Sequence, residues 1–116
     1  MEEIVREEGH LRRRFALQCY NSPYGGCQVR LVVPEAEVPE GKIGITFYKP
    51  VDGVLLFRIH PEGRRKLNRA SVTARCYSAA IPASVGREMG LPSGTHDIEP
   101  RRVEPGLYAI NVKRDQ

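Results

Sequence analysis

Two pairs of glycines constrain this 116-residue chain more than any other feature. Gly41 and Gly53 recur 53 positions later as Gly94 and Gly106, and the members of each pair stand 12 residues apart. That interval fits two short strands with the turns that bound them. Two further landmarks repeat in the same order: Cys19-Tyr20 with Cys76-Tyr77, and Val33-Pro34 with Ile81-Pro82. Such a repeat predicts one mainly β domain made of two related halves. Each half has a hydrophobic-Pro turn followed by a Gly-bounded hairpin, and each covers a face that the other could not bury alone.

Local patterns fill in this frame. Residues 15–20 and 27–33 read as strands around the Gly/Pro-rich loop at 21–26. Pro39-Glu-Gly41 marks a turn, and residues 43–48 and 54–59 read as partner strands across Asp52-Gly53, a dipeptide that favours tight hairpins. Residues 60–69 are polar and rich in breakers, and so read as a connector between a first half at 15–59 and a second at 70–113. In the second half, 71–77 and 79–81 read as strands, Pro82 opens a short helix over 83–89, and Gly90 caps it. Pro92-Ser-Gly94 is a turn, 95–99 a strand, and 103–106 a turn into a last strand at 107–112. Residues 2–12 permit about two turns of helix.

The totals exclude several classes. The length suits one core, and no apolar run approaches the roughly eighteen residues of a membrane-spanning helix. The acidic start Met1-Glu-Glu-Ile-Val-Arg-Glu-Glu8 is unlike a secretory signal, so a soluble, cytoplasmic protein is expected. Cys19, Cys27 and Cys76 are odd in number and lack a Cys-x-x-Cys spacing, which predicts free thiols rather than a zinc site or disulfide framework. His10, His60 and His96 are scattered, and neither metal nor cofactor is implied. The chain has no Gly-x-Gly-x-x-Gly, P-loop or Gly-x-Ser-x-Gly motif, and no nucleophile–base spacing, so an enzyme is not expected. Cys27 beside Gly25-Gly26 reads as part of a turn rather than as a reactive thiol.

The stretch Ala80-Ile-Pro-Ala-Ser-Val-Gly-Arg-Glu-Met-Gly-Leu-Pro-Ser-Gly-Thr-His-Asp-Ile-Glu99 resembles the swapped-hairpin DNA-binding domain of the AbrB, MazE and SpoVT regulators. The shared order is a strand ending in Ile-Pro, a short helix closing in Gly-Leu, and a Pro-x-Gly turn into a strand. Val85 and Met89, four apart, supply a helix face for the sheet, and Leu91 plugs the core. The likeness covers residues 71–113. The first half keeps Val33-Pro34, Gly41, Asp52-Gly53 and the closing strand, but has only Glu35-Ala-Glu-Val38 where the helix belongs. Members of the family pair two chains into a barrel, so two copies in one chain imply an intrachain pseudo-dimer with one or two short helices.

The resemblance also implies DNA binding through basic residues on strands and loops. It carries over to Arg75 in a strand and Arg87 in the helix, with Arg30 in the equivalent strand of the first half. Charge adds candidates. The chain has 18 Lys and Arg against 14 Asp and Glu, and the basic residues concentrate at Arg12-Arg13-Arg14, at Arg64-Arg65-Lys66 with Arg69, and at Arg101-Arg102. Guanidinium groups suit bidentate phosphate contact. The expected role is a DNA-binding regulator or architectural protein, with RNA as an alternative ligand and self-association left open. A protein-interaction module, antitoxin-like or part of a ribonucleoprotein, is the competing expectation.

Overall fold

A computed structural model of the chain describes residues 14–22, 26–38, 44–69 and 76–112. Period-two burial is cleanest in one strand-forming segment. In Val54–Ile59 the side chains of Leu55, Phe57 and Ile59 are buried while those between are half-buried. Phe15, Leu17 and Cys19 are buried too, as are Val29, Leu31 and Val33, but Ala16 and Val32 between them are also buried, so these strands are covered on both faces there.

In chain order the strands are β1 (Phe15–Ser22), β2 (Gly26–Pro34), β3 (Gly44–Phe47), β4 (Val54–Ile59), β5 (Arg65–Lys66), β6 (Asn68–Arg69), β7 (Cys76–Ala80), β8 (Gly94–Ile98), β9 (Arg101–Glu104) and β10 (Leu107–Asn111). A helix, α1 (Ala83–Met89), lies between β7 and β8. The strands form two antiparallel sheets of five, β6-β7-β2-β1-β8 and β5-β3-β4-β10-β9. Each half of the sequence contributes to both sheets.

The register carries the offsets seen in the sequence. At the centre of the second sheet Leu56 lies opposite Ala109, 53 positions on, and exchanging the halves turns the pair Arg58↔Leu107 into Asn111↔Val54. Two loop hydrogen bonds obey the same exchange: Ile59 N–H donates to Gly106 O at 2.9 Å, and Val112 N–H to Gly53 O at 2.8 Å. In the first sheet Leu31 faces Ala79, the shift of 48 that also relates Val33-Pro34 to Ile81-Pro82. β2 and β7 are therefore counterparts, as are β4 and β10, and each counterpart pair meets at the middle of a sheet.

The segment 60–69, expected as a connector, instead holds β5 and β6, with Leu67 between them fully buried. Lys66 faces Gly44 and Ala16 faces Asp97, and Gly44 and Asp97 are 53 apart, so residues 65–69 are the counterpart of 15–19. The strand escaped sequence reading because its only inward side chain is Leu67. The chain changes sheets here, and again between β8 and β9 across Glu99-Pro100. β9, which the sequence places partly in a turn, forms because Arg101 and Arg102 pair with Ala109 and Tyr108.

Between the sheets Phe15 packs on Tyr108 at 5.0 Å and Phe57 on Tyr108 at 5.3 Å, ring centre to ring centre. Such contacts add about 0.5–1.5 kcal/mol each beyond area burial. At one end α1 inserts Val85 and Met89 into the core, with Gly86 against Val29. Gly90 ends the helix with φ 59°, the left-handed stop read from the sequence. In the first half the helix is reduced to a single 3-10 turn, Glu35–Glu37, with no buried residue. Asp52 and Gly53 take φ 54° and 75°, the tight-hairpin conformation expected there. The expected N-terminal helix, the turn at 39–41 and most of the strand at 71–77 lie outside the described residues.

Among the described glycines, Gly63 in the β4-to-β5 corner has the least room for a side chain. A Cβ on Gly63 would stand 2.0 Å from Ile45 N, whereas one on Gly90 would meet nothing within 4 Å. Gly90→Ala should cost about 1–2 kcal/mol, from left-handed backbone strain alone. Gly63→Ala should cost about 3 kcal/mol or more, because the corner must open. Urea unfolding of the two variants tests the contrast.

Candidate nucleic-acid interface

The basic run Arg64-Arg65-Lys66 leaves that corner in a fixed direction. The turn is closed by Gly63 N–H donating to His60 O at 3.1 Å and His60 N–H to Gly44 O at 3.0 Å. Below it the buried Thr46 hydroxyl accepts from Arg64 N–H at 3.1 Å and lies 2.9 Å from His60 Nε2. Arg64, Arg65 and Lys66 project into solvent, and among the described residues they have no acidic partner. Arg14 is likewise exposed, just ahead of β1, and Arg87 is exposed on α1. Arg12, Arg13 and Arg75 lie outside the described residues.

The shift that relates residues 15–19 to 65–69 also relates Arg14 to Arg64. Both stand two residues before an equivalent strand position, Ala16 in one half and Lys66 in the other. Arg14 and Arg64 therefore each stand just before the first strand of a half, a relation the sequence does not display.

Two candidates are engaged within the protein. Arg30, half-buried on β2, donates from Nε at 3.2 Å and Nη2 at 3.1 Å to the hydroxyl of Ser78, its own counterpart in β7. Arg69 donates to Tyr77 Oη at 2.8 Å, lies over that ring, and pairs with Glu35 at 3.3 Å. Its guanidinium is held above its ordinary pKa, chiefly by Tyr77.

A matching arrangement on the other sheet was not singled out from sequence. Arg102 lies over Tyr108 and pairs with Glu37 at 3.2 Å, while the Tyr108 hydroxyl donates to the same carboxylate. The two acidic residues of the 3-10 turn thus each hold an arginine seated on a tyrosine, one from each sheet. The basic pair Arg101-Arg102 and the acidic stretch at 35–40 were both visible as charge runs, but their meeting depends on contacts 65 residues apart. Among the described residues no group of three His, Cys, Asp or Glu could hold a metal, and no helix is long and apolar enough to cross a membrane.

Compared with protein-family models, curated proteins and solved structures, the chain matches none.

Burial raises the pKa of Tyr108 above its ordinary 10.0, and Glu37 adds to the shift against an opposing contribution from Arg102. A phenol that holds its proton more tightly when folded contributes stability that is complete below its ordinary pKa and lost as pH rises through the folded value. Stability should therefore fall as pH rises above about 10. Tyr108→Phe should flatten that fall, measured by urea unfolding at stepped pH, and should remove a phenol that titrates above 10 from the ultraviolet titration of the native protein.

Proposed function

We propose that the chain is a nucleic-acid-binding protein of the AbrB type, an intrachain form of the swapped-hairpin dimer that grips the phosphates of duplex DNA. The observation that carries this reading is the equivalence of Arg14 and Arg64. An exposed arginine stands just before the same strand in each half, and a duplex backbone offers phosphates in two-fold related positions. The continuity of β5 into β6 and of β8 towards β9 supports a barrel in which both sheets join at their edges. The order of Ile81-Pro82, α1, Gly90-Leu91 and the turn into β8 supports the family likeness.

A second reading has its own support. Arg30 and Arg69, two of the candidate phosphate contacts, are engaged by Ser78, Tyr77 and Glu35. A protein-interaction module would keep the scaffold with these arginines in structural roles, and it would co-purify with a defined protein partner while failing to bind DNA.

Binding of duplex DNA, single strands and RNA, titrated with salt, tests the first reading. Duplex affinity should fall linearly on a log–log salt plot. Arg64→Ala/Arg65→Ala/Lys66→Ala should reduce that slope by about 2–3 without lowering the melting temperature. Arg87→Ala should change it by no more than about 1. Absence of binding at low salt, or binding indifferent to salt, would overturn the reading.

A further inference from the structure

The two halves end unequally, and a cleft lies beside one of the ends. After Ile81-Pro82 the chain makes the seven-residue α1 and delivers Val85 and Met89 to the core, whereas after Val33-Pro34 it makes a three-residue turn that buries nothing. Beside that turn lies a cleft of about 260 Å³. Ala36, Val38, Ile59 and Pro105 form its apolar wall, and Glu37, Arg102 and Tyr108 bring three polar groups to it.

The hydrogen bonding there is one-sided. Tyr108 Oη and Arg102 Nη2 both donate to Glu37 Oε1, and among the described residues Oε2 has no partner. The Glu37 side chain is 30% exposed and that of Arg102 60%, so both reach the opening. One carboxylate and one guanidinium cancel in charge, which disfavours a simple cation or anion. They present an open acceptor next to open donors, above an apolar wall, with a volume equal to about nine waters. A neutral planar ring with acceptors running into donors along one edge matches all of these features.

We infer that the cleft is a nucleobase site with a preference for guanine. Around guanine the acceptors N7 and O6 are followed directly by the donors N1–H and N2–H. Arg102 is placed to donate to the first pair, as arginine does to guanine in a groove, and Glu37 to accept from the second. The base can come from a free nucleoside or from an unstacked nucleotide of a strand. The second source rests on the nucleic-acid reading above, and the first does not.

The test titrates guanosine, adenosine, cytidine and uridine separately into the full chain by calorimetry, followed by single strands with and without guanine. Guanosine should bind at least about tenfold more tightly than uridine. Glu37→Gln, which keeps an acceptor for Tyr108, should weaken guanosine by about tenfold or more. Ala36→Phe should fill the cleft and abolish binding, with melting temperatures checking that both variants fold. Absence of nucleoside binding at millimolar concentration, or binding unchanged in both variants, would overturn the inference even if duplex DNA binds. Guanosine binding without any polynucleotide binding would uphold the cleft and remove the nucleic-acid reading. Binding confined to guanine-containing strands and sensitive to both variants would assign the strand as the source.

Discussion

The backbone pairing of β2 with β7 and of β4 with β10 is the constraint on which the remaining structure depends. In each sheet the central hydrogen bonds join counterpart strands, so neither half satisfies its own main-chain groups without the other. Inward side chains from both halves then meet between the sheets, where Phe15, Phe57 and Tyr108 form one aromatic cluster. Fixing the central pairs fixes the face each side chain takes, because a slip of one residue would turn Leu31, Phe57 and their neighbours outward.

On this shared frame the two halves differ in ways that reinforce one another. The first half has a short acidic turn in place of a helix, and the carboxylates it presents hold arginines of both sheets on tyrosine rings. Arg30 and Ser78 show the same logic in miniature, since counterpart positions carry complementary groups that bond to each other. Charge visible in the sequence as three basic clusters is thus partly engaged within the molecule at Arg69 and Arg102, while Arg14 and Arg64 to Lys66 stay exposed where the first strands begin.

Legibility from sequence followed the locality of the signal. β4 and α1 were readable to the residue, because an Asp-Gly turn, a Pro start and a Gly stop act within a few positions. The reduction of the first helix was readable for the same reason. The strand at residues 65–69 was not, since Arg65, Lys66, Asn68 and Arg69 are exposed and only Leu67 contributes an apolar signal. Among site residues, the exposure of Arg64 to Lys66 followed from polarity, whereas the capture of Arg69 by Glu35 and Arg30 by Ser78 depends on contacts 34 and 48 residues apart. The cleft was hidden for a further reason: its walls come from residues 36–38, 59 and 102–108, far apart in the chain.

That missing helix also gives the molecule a direction. In a dimer of identical chains each local change appears twice, and a two-fold target can be met in either of two indistinguishable orientations. Here only one end carries Glu35–Glu37 and its arginines, while the other carries α1 with Arg87 exposed. Exchanging the two halves in the strand register therefore exchanges an acidic end for a helical one. A surface that reads as symmetric in backbone has become polar in chemistry, and any partner laid across it meets a distinguishable left and right.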